Sequence, residues 1–167
     1  MRDPQLARAV QEWAESVPRD VREDLLWRIE AYRLGLYVCD QAWDDVTALS
    51  KDARTVSLAD QLHRALGSIS ANIAEGYSRG GGRDRARFLE YALGSAREAR
   101  DWYVKARRVL GEERVAVQVS VLTSVVRLLL VMTKDQRSVH LREPDIPYAT
   151  DAGRPALPPD SDAHPPV

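Results

Sequence analysis

Three histidines, one cysteine and scattered carboxylate pairs are all that the chain offers for catalysis or metal binding. Di-iron bundle centres take a Glu-x-x-His pair from each of two helices. The nearest approach here is a single Asp60-x-x-His63, which reads more simply as a histidine in an exposed or capping turn. Helical nucleotide pyrophosphatases hold magnesium with two acidic pairs. Glu12-x-x-Glu15 and Glu98-x-x-Asp101 have suitable spacing but lie about eighty residues apart, and each fits a solvated helix surface. No arginine–histidine pair has the spacing that helical ribonucleases use. Nucleophilic chemistry at Cys39 would need an adjacent base, and its place on an apolar stripe reads as packing. The chain is therefore read as non-catalytic, with no metal and no cofactor.

Two polar groupings are more unusual. Gln61, Arg64, Ser68, Asn72 and Glu75 recur every three or four residues and so share one helix face. That face is either solvated, a polar seam at a subunit contact, or a buried network, since an unpartnered polar group inside a bundle costs about 1–3 kcal/mol. The second grouping is Arg79, Arg83, Arg85 and Arg87, gathered around Gly80-Gly81-Gly82. Residues 64–114 carry eleven Lys/Arg against seven Asp/Glu, a local balance of +4, whereas residues 1–57 and 140–167 each stand at −3. A formal net charge of −1 thus conceals a basic middle between acidic ends. Flexible glycine backbone flanked by arginines can follow phosphates, which makes these four the candidate nucleic-acid-binding residues; a solvated, arginine-rich loop is the simpler alternative.

These residues need a helical frame, and the apolar spacing supplies one. At 167 residues the chain suits one domain with a core. A single cysteine leaves no intramolecular disulfide and fits a reducing, cytoplasmic setting. Asp3 as N-cap and Pro4 at the first helical position open a short helix to about Glu15, which Pro18 stops. Asp20 and Glu23 resemble a capping box opening a long helix to about Leu49, with Leu25, Ile29, Tyr32, Leu36, Cys39, Trp43 and Val46 as its buried stripe. Ser57–Asp60 cap the next helix, whose inward positions are Leu58, Leu62, Ala65, Ile69 and Ile73, and the glycine run ends it. A third helix spans about Asp84–Leu110 with Phe88, Ala92, Ser95, Ala99, Trp102, Ala106 and Val109 inward. Gly111 is its C-cap, and Glu112-Glu113 open a fourth helix with Gln118, Leu122, Val125, Leu129 and Met132 on its step.

The window Val115–Thr133 is nearly long enough to span a bilayer, but Arg127 within it favours a buried helix and no membrane. Met1-Arg2-Asp3-Pro4 lacks the apolar run of a secretory signal. From His140 to Val167 there are seven prolines and no apolar period, which suits a disordered or extended tail. The expected fold is all-α, an up-and-down four-helix bundle over residues 18–138. A short N-terminal helix at 1–17 precedes it, and a proline-rich tail at 139–167 comes after it.

The segment Gln61-Leu-His-Arg64-Ala, followed by Ser68-Ile69-Ser-Ala71-Asn72-Ile73-Ala74-Glu75-Gly76-Tyr77, resembles the signature of bacterial four-helix-bundle proteins related to the 23S rRNA intervening-sequence protein. Arg79 and then Phe88-Leu89-Glu90-Tyr91-Ala92-Leu-Gly94-Ser95-Ala-Arg-Glu98 match that family's second block, and the resemblance runs from about Asp24 to Gln136. It implies a homo-oligomer, a pentameric ring or barrel, and no enzymatic activity. It also implies two kinds of partner: RNA, or the reverse transcriptase of a diversity-generating retroelement. Two functions are compatible with these features. One is an oligomeric RNA- or ribonucleoprotein-binding adaptor working through Arg79, Arg83, Arg85 and Arg87. The other is a protein-binding assembly scaffold, or an accessory subunit of a reverse transcriptase or other neighbouring enzyme, without nucleic-acid contact.

Overall fold

The apolar step before Pro18 folds as α1 (Pro4–Ser16). The structure, a computed structural model, describes residues 4–79 and 81–140; Asp3 with its capping role, Gly80 and the tail beyond His140 lie outside the described residues. Val10 of α1 enters the common core, and Leu6, Ala9 and Trp13 pack beside it. Trp13 donates from Nε1 to Asp40 at 3.0 Å and stacks on Trp27 with ring centres 6.1 Å apart.

The expected long helix from Asp20 to Leu49 is interrupted. It divides into α2 (Arg19–Glu23), a 3-10 turn (Leu25–Arg28), α3 (Glu30–Gln41) and α4 (Trp43–Ser50). Asp20 lies in the first turn of α2 and makes no capping box, because Pro18 holds the N-cap position without a side-chain bond. The break falls at Asp24, whose backbone is extended (φ −66°, ψ 148°) and whose carboxylate accepts from the Leu26 amide at 2.7 Å. A short acidic side chain that satisfies a nearby N–H offers the backbone an alternative to the helix. Ile29 is extended as well. Between α3 and α4 the chain stays near helical at Ala42 (φ −82°, ψ −4°), so the two form one slightly bent rod.

The buried face of that rod also differs from the expected stripe. Ala31, Leu34, Gly35, Val38, Ala42, Asp45 and Leu49 are buried. Ile29, Tyr32, Leu36, Cys39 and Val46 are half-buried, Leu25 is exposed, and Trp43 is 70 % exposed. Both stripes keep the helical period, and close packing chose the one containing small residues. A Cβ at Gly35 would lie 3.0 Å from Ile69 Cγ2, which shows how tightly the helix carrying Ile69 approaches there.

Three further helices complete the bundle: α5 (Val56–Tyr77), α6 (Gly82–Leu110) and α7 (Glu112–His140). α3 packs on α5 and α7, α5 on α6, and α6 on α7, which closes a four-membered up-and-down ring. No strand occurs among the described residues. Thr55 rather than Ser57 precedes α5, and its hydroxyl donates back to the Leu49 carbonyl at 2.7 Å instead of capping. Leu62, Ala65, Ile69 and Ile73 are buried as expected, with Leu58 half-buried. In α6 the seam is mostly alanine: Ala86, Ala92, Ala96, Ala99 and Ala106 are buried with Leu89, Leu93 and Tyr103. Phe88, Ser95, Trp102 and Val109 flank it; Trp102 and Val109 are half-buried, packed against the core.

Gly111 caps α6 with φ 83°, the left-handed conformation that glycine adopts without penalty. α7 is long and apolar enough to cross a membrane by length and composition. In the bundle it is a core helix, with Gln118, Leu122, Val125 and Leu129 buried on the expected step and Met132 half-buried.

Candidate nucleic-acid interface

The glycine run separates α5 from α6 by a short turn, so the arginines on either side of it meet at one end of the bundle. Arg79 leaves the end of α5, and Arg83, Arg85 and Arg87 occupy the first turns of α6. Aromatic rings hold three of the four in place. The Arg79 and Arg87 guanidinium carbons lie 5.2 and 5.6 Å from the Phe88 ring centre. Arg85 lies 5.6 Å from the Tyr77 ring centre, and its NH2 group donates to the Arg79 carbonyl at 3.2 Å across the turn. Stacking of this kind uses the flat guanidinium face and leaves N–H edges for phosphate oxygens. Arg79 is ion-paired with Glu75. The Nε of Arg85 is buried and finds no acceptor among the described residues.

Gly76 makes this corner possible. A Cβ there would sit 2.9 Å from Phe88 Cβ and 3.3 Å from the Arg85 carbonyl oxygen, so only glycine lets α5 and α6 meet at this depth. The end of α7 reaches the same corner. The Gln136 carbonyl is 3.6 Å from the position a Gly82 Cβ would take, and Arg137 pairs with Glu90. Sequence spacing did not point to Arg137, because only the antiparallel return of α7 places it near the turn.

Gln61, Arg64, Ser68, Asn72 and Glu75 do share a face of α5, but the fold leaves that face half-buried or exposed in the protomer. A buried network inside the bundle is therefore ruled out for this seam. Its bonds stay within the helix: Arg64 donates to Gln61 Oε1 at 2.9 Å and pairs with Asp60 at 3.4 Å. Asn72 Nδ2 donates to the Ser68 carbonyl at 2.8 Å. Glu75, through Arg79, joins this face to the arginine corner.

The buried network lies elsewhere, at the opposite end of α6. Asp45 of α4, 5 % exposed, accepts from Tyr103 Oη at 2.9 Å, from Arg114 Nε at 2.8 Å and from Gln118 Nε2 at 3.3 Å. Arg114 also donates to the Gln41 carbonyl. Burial pushes the Tyr103 phenol well above its ordinary value, and the charge and hydrogen bond of Asp45 push it further. Burial alone would lower Arg114, but the bond and charge of Asp45 outweigh it, so Arg114 is raised. Gln118 on an otherwise apolar step was the one trace of this network in the sequence.

Several of the residues weighed for catalysis are engaged locally. Glu12 pairs with Arg8 at 2.7 Å. Glu98 accepts from Trp102 Nε1 at 3.1 Å, and Asp101 pairs with Lys105. Asp60 and His63 are exposed on α5, and no cluster of three or more His, Cys, Asp or Glu that could hold a metal occurs among the described residues. Cys39 is half-buried; burial, and then the Asp40 charge, push its thiol up and away from the reactive thiolate.

Comparison with known proteins agrees with this architecture. Residues 28–128 match the family described as 23S rRNA-intervening sequence protein. None of the curated proteins compared with the chain matches it. A crystal structure at 1.70 Å of a protein of unknown function from the S23 ribosomal protein family of Bacteroides thetaiotaomicron superposes with a TM-score of 0.58. It is 22 % identical and covers 62 % of this chain and 98 % of its own, a likeness of fold.

Proposed function

This chain belongs to the 23S rRNA-intervening sequence protein family, and on that premise we propose that it is a non-catalytic, cytoplasmic adaptor that binds RNA or a ribonucleoprotein. The contact surface is the arginine corner, Arg79, Arg83, Arg85 and Arg87. The observation that supports this reading is the seating of Arg79, Arg85 and Arg87 on the rings of Phe88 and Tyr77. Guanidiniums already ordered in this way lose less freedom when a phosphate arrives. Self-assembly would repeat the corner around an axis and multiply the field that one copy presents.

Arg83→Glu/Arg87→Glu in the full chain, titrated against a fluorescently labelled single-stranded RNA, tests the reading. Binding that falls steeply with salt in the parent and is lost in the double variant supports it. Equal affinity in both overturns it. Light scattering after size exclusion, with and without nuclease, reads the assembly: a mass of about five subunits agrees with the pentamer that the family resemblance implies, and a monomer refutes self-assembly.

One observation favours the scaffold reading: Trp43 and Leu25 stand 70 % and 54 % exposed on the first rod and the turn before it, apolar surface suited to a protein partner such as a reverse transcriptase. Under that reading the arginine reversals leave partner binding intact, and Leu25→Ser with Trp43→Ser, or deletion of residues 140–167, removes it; deletion of residues 1–17 would also strip Val10 from the core and Trp13 from beside it.

A further inference from the structure

The arginine corner adjoins a notch of about 180 Å³ between the ends of α5 and α7 and the start of α6. Tyr77, Arg85, Leu89, Met132, Asp135 and Gln136 are among its walls; Asp135 is the one acid among them, so the apolar residues rather than the carboxylates of an acidic segment suit the notch itself. The chain therefore leaves α7 beside both the notch and the arginines. The segment after α7 is opposite in charge to that corner: residues 141–167 hold five Asp/Glu against two Lys/Arg. We propose that this segment folds back on its own bundle, laying Glu143 and Asp145 against the arginine corner and Ile146-Pro147-Tyr148 into the notch. The chain would thereby carry an internal competitor for phosphate. The inference rests on reading the corner as an anion-binding surface.

Reach permits this return. Four residues separate Gln136 from His140, a rise of about 6 Å along the helix. Three to five extended residues span up to about 10–17 Å, so Glu143 and Asp145 can come back to the level of Gly82. Pro144 and Pro147 favour the departure, because a proline has no N–H for a continuing helix and disfavours helical backbone in the residue before it. The notch suits the incoming residues, with Ile29, Ile73, Leu89 and Met132 offering apolar wall to Ile146 and Tyr148. Arg85 lines the notch, and a guanidinium is of the type that pairs with a tail carboxylate. Charge selects the site as well, since the acidic segment leaves the bundle beside its arginine-rich corner.

The test uses the full chain and a full-length variant with Glu143→Gln, Asp145→Asn and Asp151→Asn. Hydrogen exchange of the amides of residues 82–89 reports tail docking without any RNA; anisotropy with a labelled single-stranded RNA reports the competition. Docking predicts slower exchange in the parent than in the variant, with the difference erased by high salt, and RNA binding roughly five- to tenfold tighter in the variant at low salt. Slower exchange in the parent with no RNA binding by either protein upholds the docked tail and overturns the RNA reading. Identical exchange with salt-dependent RNA binding of equal strength overturns the docked tail and leaves the RNA reading standing. A protection that rises with protein concentration assigns the tail to a second copy and also overturns the intramolecular contact.

Discussion

The phenol of Tyr103 donates to the carboxylate of Asp45 across 2.9 Å, joining two residues 58 positions apart in the chain. Asp45 lies on the rod formed by α3 and α4, Tyr103 on α6, and Arg114 and Gln118 on α7. A single carboxylate thus collects donors from the two helices that it faces, at a point where Tyr103 and Gln118 have no water to turn to. Such a cluster fixes how the helices rotate and slide against one another, which an alanine-rich seam by itself does weakly.

Asp45→Ala leaves three donors without their common acceptor, two of them fully buried. The expected loss is about 3–4 kcal/mol in denaturant-induced unfolding, against about 1 kcal/mol for Tyr103→Phe, which removes one donor and leaves the ion pair with Arg114 intact. Equal losses for the two variants would refute the central place given to Asp45.

The same network makes the protein sensitive to alkali. Tyr103 has an ordinary phenol value of 10.0 and is raised in the fold by burial and by Asp45. Above about pH 10 the unfolded chain releases that proton while the folded chain keeps it, so the stability present at lower pH declines as pH rises. Tyr103→Phe should flatten this decline, measured as the unfolding midpoint between about pH 9 and 11. Tyr32, Tyr37 and the Cys39 thiol are raised too, mainly by burial, and contribute to the slope that remains. A decline of unchanged steepness in the variant would refute the assignment.

At the acid end the effect has the opposite sign. Asp52, in the loop between α4 and α5, is held down to about 2 by hydrogen bonds from the Arg54 side chain and amide, and then by the Arg54 charge. Its contribution is present above the ordinary carboxylate range and fades as pH falls through about 2. Arg54→Ala should bring Asp52 back towards its ordinary value of 3.8, read directly from the carboxyl carbon shift in an NMR titration. An unshifted midpoint would show that the loop, rather than Arg54, sets it.

Two glycines should respond oppositely to the same change. Gly76→Ala drives a methyl group into Phe88 and towards the Arg85 carbonyl, and should cost about 1–3 kcal/mol while loosening the arginine corner. Gly94→Ala meets nothing within 4 Å on the exposed side of α6, and should stabilise by up to about 1 kcal/mol through helix propensity. Thermal unfolding of the two variants is the measurement; a stabilising Gly76→Ala would contradict the close approach of α5 and α6.

What the sequence determined by itself is the order and extent of most helices, because the 3.6-residue period, Pro18, the glycine run and Gly111 act locally. The family signature was likewise legible, as was the gathering of Arg79, Arg83, Arg85 and Arg87 around one turn. Tertiary structure decided which face of each helix turned inward. On the first rod two stripes have equal periodicity, and the stripe with Ala31, Gly35 and Ala42 is buried because small residues let α5 come close. Asp24 broke the expected long helix by satisfying the Leu26 amide locally. The polar face of Gln61 to Glu75 stayed outside in the protomer, its bonds closing within one helix. The buried network formed instead around Asp45, whose partners lie 58 to 73 residues away. Spacing along a chain carries no information about such partners; they become neighbours only when the antiparallel helices close into a ring.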